Sequence, residues 1–221
     1  MSLLTRRNVL LVGAVIAAAG LTAGAILTWG PQETRPVQAA EVVAGAPAPE
    51  FSVVDTNGAV RTLAEFSGRT IVLEWTNKDC PYVRKHYNSG NMQALQRAAT
   101  DDGVVWLTVL SSAPGEQGYL DAAGADANIA AVNAAPTALL LDPEGTMGRA
   151  YGAQTSPHMF IINGQGQIVY QGAIDDRPSA DPATLEGATN YVSAALADLE
   201  AGRPVASAQT VAYGCSVKYA T

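Results

Sequence analysis

The stretch that decides the fold is Ile71-Val72-Leu73-Glu74-Trp75-Thr76-Asn77-Lys78-Asp79-Cys80-Pro81-Tyr82-Val83-Arg84-Lys85-His86. Ile71 to Trp75 is apolar apart from Glu74 and predicts a buried strand. Thr76 to Asp79 is a short polar turn, and Pro81 suits the first position of a helix. Cys80 therefore sits where a strand hands over to a helix. Helix N-terminal N–H groups and the macrodipole favour thiolate over thiol at such a place. The other cysteine of the chain, Cys215, lies six residues before Thr221. It reaches Cys80 only if the fold, or a second molecule, brings it back.

Outward from this run the pattern alternates. Phe51 to Asp55, then Thr56-Asn57-Gly58, predicts a strand ending in a hairpin turn, because Asn-Gly tolerates positive φ. Val60 to Leu63 pairs back, and Thr62-Leu63-Ala64-Glu65 has capping-box spacing. Pro81 to about Ala99 predicts a helix interrupted near Asn88 to Asn91, and Val104 to Leu110 a second apolar strand. Tyr119 to Ala134 reads as a helical region broken at Gly124, Ala138 to Asp142 as a third strand, and Thr146 to Tyr151 as a short helix. His158 to Ile162 and Gln167 to Gln171 form a hairpin around Asn163-Gly164, and Tyr191 to Ala201 is a helix stopped by Gly202 and Pro204. Strands alternating with helices argue one α/β layered domain over residues 51–204. Residues 40–50 read as a linker, and 205–221 as a C-terminal tail without periodicity that carries Cys215.

Residues 1–39 read differently. Thr5-Arg6-Arg7-Asn8-Val9-Leu10 puts two arginines before an uncharged apolar stretch, Val9 to Trp29. This resembles a twin-arginine export signal, with Val37-Gln38-Ala39 offering small residues for cleavage. The stretch is also long enough for an uncleaved membrane tether through residues 9–29. Either way the domain works in the periplasm or another extracytoplasmic space. Removing residues 1–39 takes away Arg6, Arg7, Arg35 and Glu33, which leaves 10 basic against 19 acidic residues and a net charge near −9. So acidic a chain is poorly suited to phosphate backbones, which argues against a nucleic-acid partner. Two cysteines in an exported chain allow a disulfide but are too few for a disulfide scaffold.

Val72-Leu73-Glu74-Trp75 followed by Cys80-Pro81-Tyr82-Val83-Arg84-Lys85 resembles the active-site segment of thioredoxin-fold proteins. It lines up without gaps against the membrane-tethered thioredoxins of cytochrome maturation, with Val83 on the place of their second cysteine. Thr155-Ser156-Pro157-His158-Met159-Phe160-Ile161-Ile162-Asn163-Gly164 resembles the second signature, where a cis-proline opens a strand and packs against the reactive sulfur. Trp75-Thr76-Asn77, Gly172-Ala173-Ile174-Asp175-Asp176 and Gly214-Cys215-Ser216-Val217-Lys218 are similar to the peroxiredoxin-like branch of the alkyl hydroperoxide reductase/thiol-specific antioxidant (redoxin) family. The resemblance implies a thioredoxin-like three-layer α/β fold: a central mixed β-sheet flanked by helices, with an N-terminal β-hairpin. It also implies an oxidoreductase that needs no cofactor.

Peroxidatic sites of this family carry Thr or Ser three residues before the cysteine, Pro seven before it, and an activating Arg before the later strand. Here those places hold Asn77, Leu73 and Pro157-His158-Met159, with Thr76 one step out of register. Peroxide activation needs donors aimed at the breaking O–O bond, and only Arg84 is offered as a substitute. Thiol–disulfide exchange through Cys80 is therefore the first reading, with Cys215 as candidate resolving cysteine and disulfides or thiols of proteins or small molecules as partners; the alternative for Cys215 is a static bridge that pins the C-terminus. A thiol-dependent, antioxidant peroxidase is the second. The electron donor is left open by these residues.

Glu74 matches the place of the buried carboxylate that shuttles protons in thioredoxins; its alternative is a half-buried glutamate bonded to a Lys or Arg. Pro157 would hold substrate backbone, and Pro81 starts the helix. His158, next to the expected cis-proline, should lie near Cys80 and tune it or hydrogen-bond substrate. Cys80, Cys215 and His158 also compose a weaker third reading, a copper or zinc carrier.

Overall fold

The computed structural model describes residues 43–221; the export-signal or anchor reading falls on residues outside this range. Strands β1 (Ser52–Asp55) and β2 (Val60–Thr62) form the expected hairpin. They are followed by β3 (Ile71–Trp75), α1 (Pro81–Asn88), α2 (Asn91–Asp101), β4 (Val105–Leu110) and α3 (Ala122–Ala131). The chain continues through β5 (Ala138–Leu141), α4 (Thr146–Ala150), β6 (Thr155–Ser156), β7 (His158–Ile162) and β8 (Ile168–Gly172), and closes with α5 (Tyr191–Glu200) and β9 (Cys215–Ser216). Seven strands make one mixed sheet in the order β2-β1-β5-β4-β3-β7-β8, while β6 and β9 pair apart from it. β3, β4 and β5 run parallel, and β7 is antiparallel to β3. This is the thioredoxin-like layered arrangement that the sequence implies.

Side-chain alternation along the central strands builds two cores, one on each face. Ile71, Leu73, Trp75, Leu107, Val109, Phe160 and Ile162 fill one face with Tyr151. Val72, Trp106, Met159, Ile161 and Tyr170 fill the other, together with Cys80 and Val83. Because β3 is buried on both sides, it reads as a continuous apolar run, as central parallel strands do. The Asn88–Asn91 interruption is real: Gly90 sits at φ 77° between α1 and α2 and turns the chain.

The structure departs from the sequence reading at Gly124, which does not break α3; Asp121 caps the helix by accepting from the Gly124 N–H at 2.8 Å, so the helix starts at Ala122 and runs through. The lead-in is extended and bound: Gly45 N–H donates to Ile168 O, and Ala48 N–H to Gly166 O. The tail is docked as well. Gln171 N–H donates to Ala208 O, Thr210 N–H to Gln171 O, and Ala113 N–H to Lys218 O. Together these segments cover β8, the edge that the sheet would otherwise leave open. No helix of the described residues is long and apolar enough to cross a membrane.

Phe160 anchors the first core, fully buried and packed against Trp75 and Tyr151 at ring separations of 5.2 and 5.6 Å. Phe160→Ala is expected to destabilise the domain by about 3–5 kcal/mol, measured by urea unfolding; a loss below about 1 kcal/mol would contradict this packing.

Candidate active site

Cys80 is the N-cap of α1, with Pro81 at the first helical position and Arg84 N–H donating to Cys80 O at 2.9 Å. The preceding turn is tied down by Asn77. Its backbone oxygen accepts from Cys80 N–H at 3.0 Å, its side-chain oxygen accepts from Asp79 N–H, and its amide donates to Gln117 O. Asn77 is thus buried and structural, shaping the turn rather than facing the sulfur. Cys80 itself has no exposed surface. Its sulfur does not cap the helix; it faces Ser156 O at 3.1 Å and Cys215 Sγ at 2.7 Å.

That meeting is the work of β9. Cys215 pairs antiparallel with Ser156, and Ser216 with Thr155, directly beside the Ser156–Pro157 peptide bond, which is cis as expected. Val217 N–H adds a hydrogen bond to Gln154 O. Gly214, at φ 140°, allows the approach: a Cβ there would collide with the Ser156 carbonyl oxygen. Beyond Cys215, Tyr219 lies over Gly145 and Gly148, donates to Ala153 O at 2.7 Å and carries the Arg149 guanidinium on its ring. The two sulfurs therefore lie within reach of a disulfide bond. Burial, and then the neighbouring Cys80 sulfur, push the Cys215 thiol up to about 11.

Glu74 lies on the Cys80 face of β3, fully buried. It is not bonded to a Lys or Arg, which corrects the half-buried alternative. Tyr87 OH donates to Oε1 at 2.7 Å, while Trp106 Nε1, Gln96 Nε2 and Thr108 Oγ1 donate to Oε2 at 2.9, 3.1 and 3.2 Å. Burial outweighs these donors and raises its pKa above the usual carboxylate range. Val83, on the place of the second thioredoxin cysteine, is buried in the same cluster as Cys80.

The remaining candidates are not brought to the sulfurs. Thr76 and the exposed Arg84 line a pocket of about 170 Å3 between α1 and α3, with Val83, Leu110 and Ile129 as apolar wall. His158 follows the cis-proline, but alternation turns its ring to the opposite core. There it lies 4.5 Å from Phe160, while Met159 and Ile161 face the Cys80 cluster. Its Nδ1 accepts from Gln154 N–H at 3.3 Å, and burial pushes its pKa down to about 4. Among the described residues no three His, Cys, Asp or Glu side chains converge as a metal set. The carrier reading therefore lacks its histidine. Sequence reasoning also missed the Thr155–Ser156 strand and Tyr213; a glycine directly before Cys215 was the signal for close docking.

A thiol at the head of a helix, opposite a cis-proline on a mixed sheet of this order, defines a thioredoxin-fold redox protein. The Redoxin family model matches residues 43–189, and the chain belongs to that family. An uncharacterised conserved protein from Geobacillus kaustophilus superposes with TM-score 0.70 at 25% identity, over 80% of this chain and 92% of its own. A hypothetical protein from Sinorhizobium meliloti gives 0.67 at 23%, over 81% and 96%. A candidate thiol:disulfide interchange protein DsbE from Chlorobium tepidum gives 0.50 at 25%, over 66% and 94%. No curated protein matches.

Two outcomes test this geometry. Gly214→Ala should cut the rate of Cys80–Cys215 disulfide formation at least about tenfold, since side chains rarely adopt this φ and the Cβ displaces β9; an unchanged rate, read by thiol alkylation after oxidation, would contradict the docking. The second concerns acid. His86 is also buried and pushed down to about 4, chiefly by burial. An imidazole that titrates near 6.5 when unfolded but near 4 when folded binds fewer protons in the fold between those values. Its contribution is complete above about 6.5 and is lost as the pH falls toward 4. Glu74, with its raised pKa, acts in the opposite sense, so the effect is read by difference. His158→Gln should show a smaller fall in Tm from pH 7 to 5 than the parent chain, and an equal fall would contradict a neutral buried imidazole.

Proposed function

We propose that this protein is a thiol–disulfide oxidoreductase that works outside the cytoplasm, with Cys80 as nucleophile and Cys215 as its resolving partner in the same chain. The observation that carries this reading is the 2.7 Å approach of the two sulfurs, held by the β6–β9 pairing. Arg6-Arg7 before the apolar residues 9–29 supports the compartment, where disulfides persist. The Chlorobium tepidum structure, by its description an interchange protein, supports the reaction class.

The exchange runs in two displacements. Cys80 thiolate attacks one sulfur of a substrate disulfide; the S–S bond breaks, the other sulfur leaves and takes a proton, and Cys80 remains in a mixed disulfide. Cys215 then gives up its proton and attacks the Cys80 sulfur, expelling the second substrate thiolate and closing Cys80–Cys215. The substrate gains two electrons and two protons, which the two cysteines supply. A dithiol donor of the same compartment then breaks the Cys80–Cys215 bond: its two thiols supply two electrons and two protons and close their own disulfide. Glu74, a buried carboxylate on the Cys80 face, is assigned the proton traffic of these steps.

Peroxide reduction is the competing use of the same pair. The cation offered for it, Arg84, lines the pocket between α1 and α3. Cys215→Ser, mixed with a dithionitrobenzoate-type or peptide disulfide, should accumulate a mixed disulfide at Cys80; the parent chain should release both substrate thiols. Cys80→Ser should release none. Stoichiometric hydrogen peroxide consumption by the reduced parent chain, with no turnover of disulfides, would overturn the assignment in favour of a peroxidase.

A further inference from the structure

Lys85, His86 and Asp175 are buried polar groups without a role in this exchange, and they meet one residue of the tail. Lys85 and Asp175 form an ion pair with side chains 0% and 2% exposed, Nζ to Oδ2 at 3.2 Å; Lys85 also donates to Arg177 O at 2.9 Å. Arg177 N–H donates to Asp175 Oδ1 at 2.9 Å. His86 Nδ1 faces the Asn91 side-chain amide at 2.8 Å, which as acceptor leaves its proton on Nε2. That nitrogen lies 3.4 Å from Tyr213 OH and 3.9 Å from Asp175 Oδ2.

Tyr213 completes the cluster from the tail. Its hydroxyl donates to Asp175 Oδ1, its ring lies 5.6 Å from Lys85 Nζ, and Tyr82 packs edge-on against it at 5.8 Å. Burial and Asp175 both raise its pKa, so the phenol keeps the proton it donates. Lys85 and His86 stand on α1, the helix headed by Cys80, and Tyr213 stands two residues before Cys215. One hydrogen-bonded cluster therefore joins the nucleophile's helix to the resolving strand. A buried ion pair is costly to assemble and is a poor source of stability by itself. Its placement under the tail gives it a use.

We propose that Tyr213 is the positioning residue of the tail: seated in the Lys85–Asp175–His86 cluster, its hydroxyl holds Cys215 over Cys80 and sets how often Cys80 is uncovered. The proposal rests on the exchange reading, because Cys80 has no exposed surface while the tail is docked. An external disulfide reaches the sulfur only when β9 lifts from β6. The strength of the latch thus trades fast resolution against access to substrate.

The test uses the full chain in two forms. In Cys215→Ser, Cys80 is the only thiol, so its reaction with a bulky maleimide reports lifting of the tail. Adding Tyr213→Phe should raise that rate about tenfold, the factor expected for losing a hydrogen bond to a charged acceptor. In the chain with both cysteines the latch holds the tail in the dithiol as it does in the disulfide, so Tyr213→Phe should leave the glutathione equilibrium of the Cys80–Cys215 disulfide within about twofold. A merely structural loss, which misplaces Cys215 in the docked state, would move the equilibrium as well as the rate. An unchanged maleimide rate, or an equilibrium shifted as far as the rate, would overturn the latch. Failure of the parent chain to form any Cys80–Cys215 disulfide would instead sink the exchange reading, and the maleimide rate would still decide the role of Tyr213.

Discussion

The pairing of Cys215-Ser216 with Thr155-Ser156 is the constraint on which the site depends. The main chain of the tail is laid antiparallel beside the cis-proline, so the Cys215 side chain falls onto Cys80. Three neighbouring residues support that registry. Gly214 removes the side chain that would hold the strands apart, Tyr213 anchors one side of Cys215, and Tyr219 anchors the other. The separation in sequence, 134 intervening residues, costs little once the tail is bound, because loop-closure entropy grows only slowly with length.

The location of the second sulfur changes the chemistry available. With a buried Val83 in the helix, no thiol waits one turn from Cys80. In the proposed exchange, the resolving thiol comes from a segment that also covers the nucleophile. Burial, and then the neighbouring Cys80 sulfur, hold the Cys215 thiol above its ordinary range. Reactivity and access are thereby governed by the same docking event. In a helix-borne pair the two would be separate.

Much of the fold was legible from residue pattern. Ile71 to Trp75 and Val104 to Leu110 read as central strands because burial on both faces removes alternation, and Asn57-Gly58 marked the first hairpin through its turn chemistry. Cys80, Pro81 and Pro157 carried the site because their roles depend on local backbone. Partners fixed by tertiary packing were not legible. Glu74 could be seen to need donors, but Tyr87, Gln96, Trp106 and Thr108 come from three other elements. His158 was misplaced because adjacency to the proline says nothing of which face a side chain takes; strand alternation decided it. The strand at Cys215 is two residues long, too short for any period, and Lys85 and Asp175, 90 residues apart, give no local sign of their ion pair.

The central claim is that Cys80 and Cys215 close a disulfide within one chain. Reduced full-length protein, diluted over a hundredfold range and oxidised by one equivalent of a small disulfide, tests it most directly by intact and peptide mass spectrometry. The account predicts a monomer lighter by two hydrogens, a linked peptide containing Cys80 and Cys215, and a rate of ring closure independent of protein concentration. A persistent mixed disulfide at Cys80, or a disulfide-linked dimer whose formation slows on dilution, would contradict it.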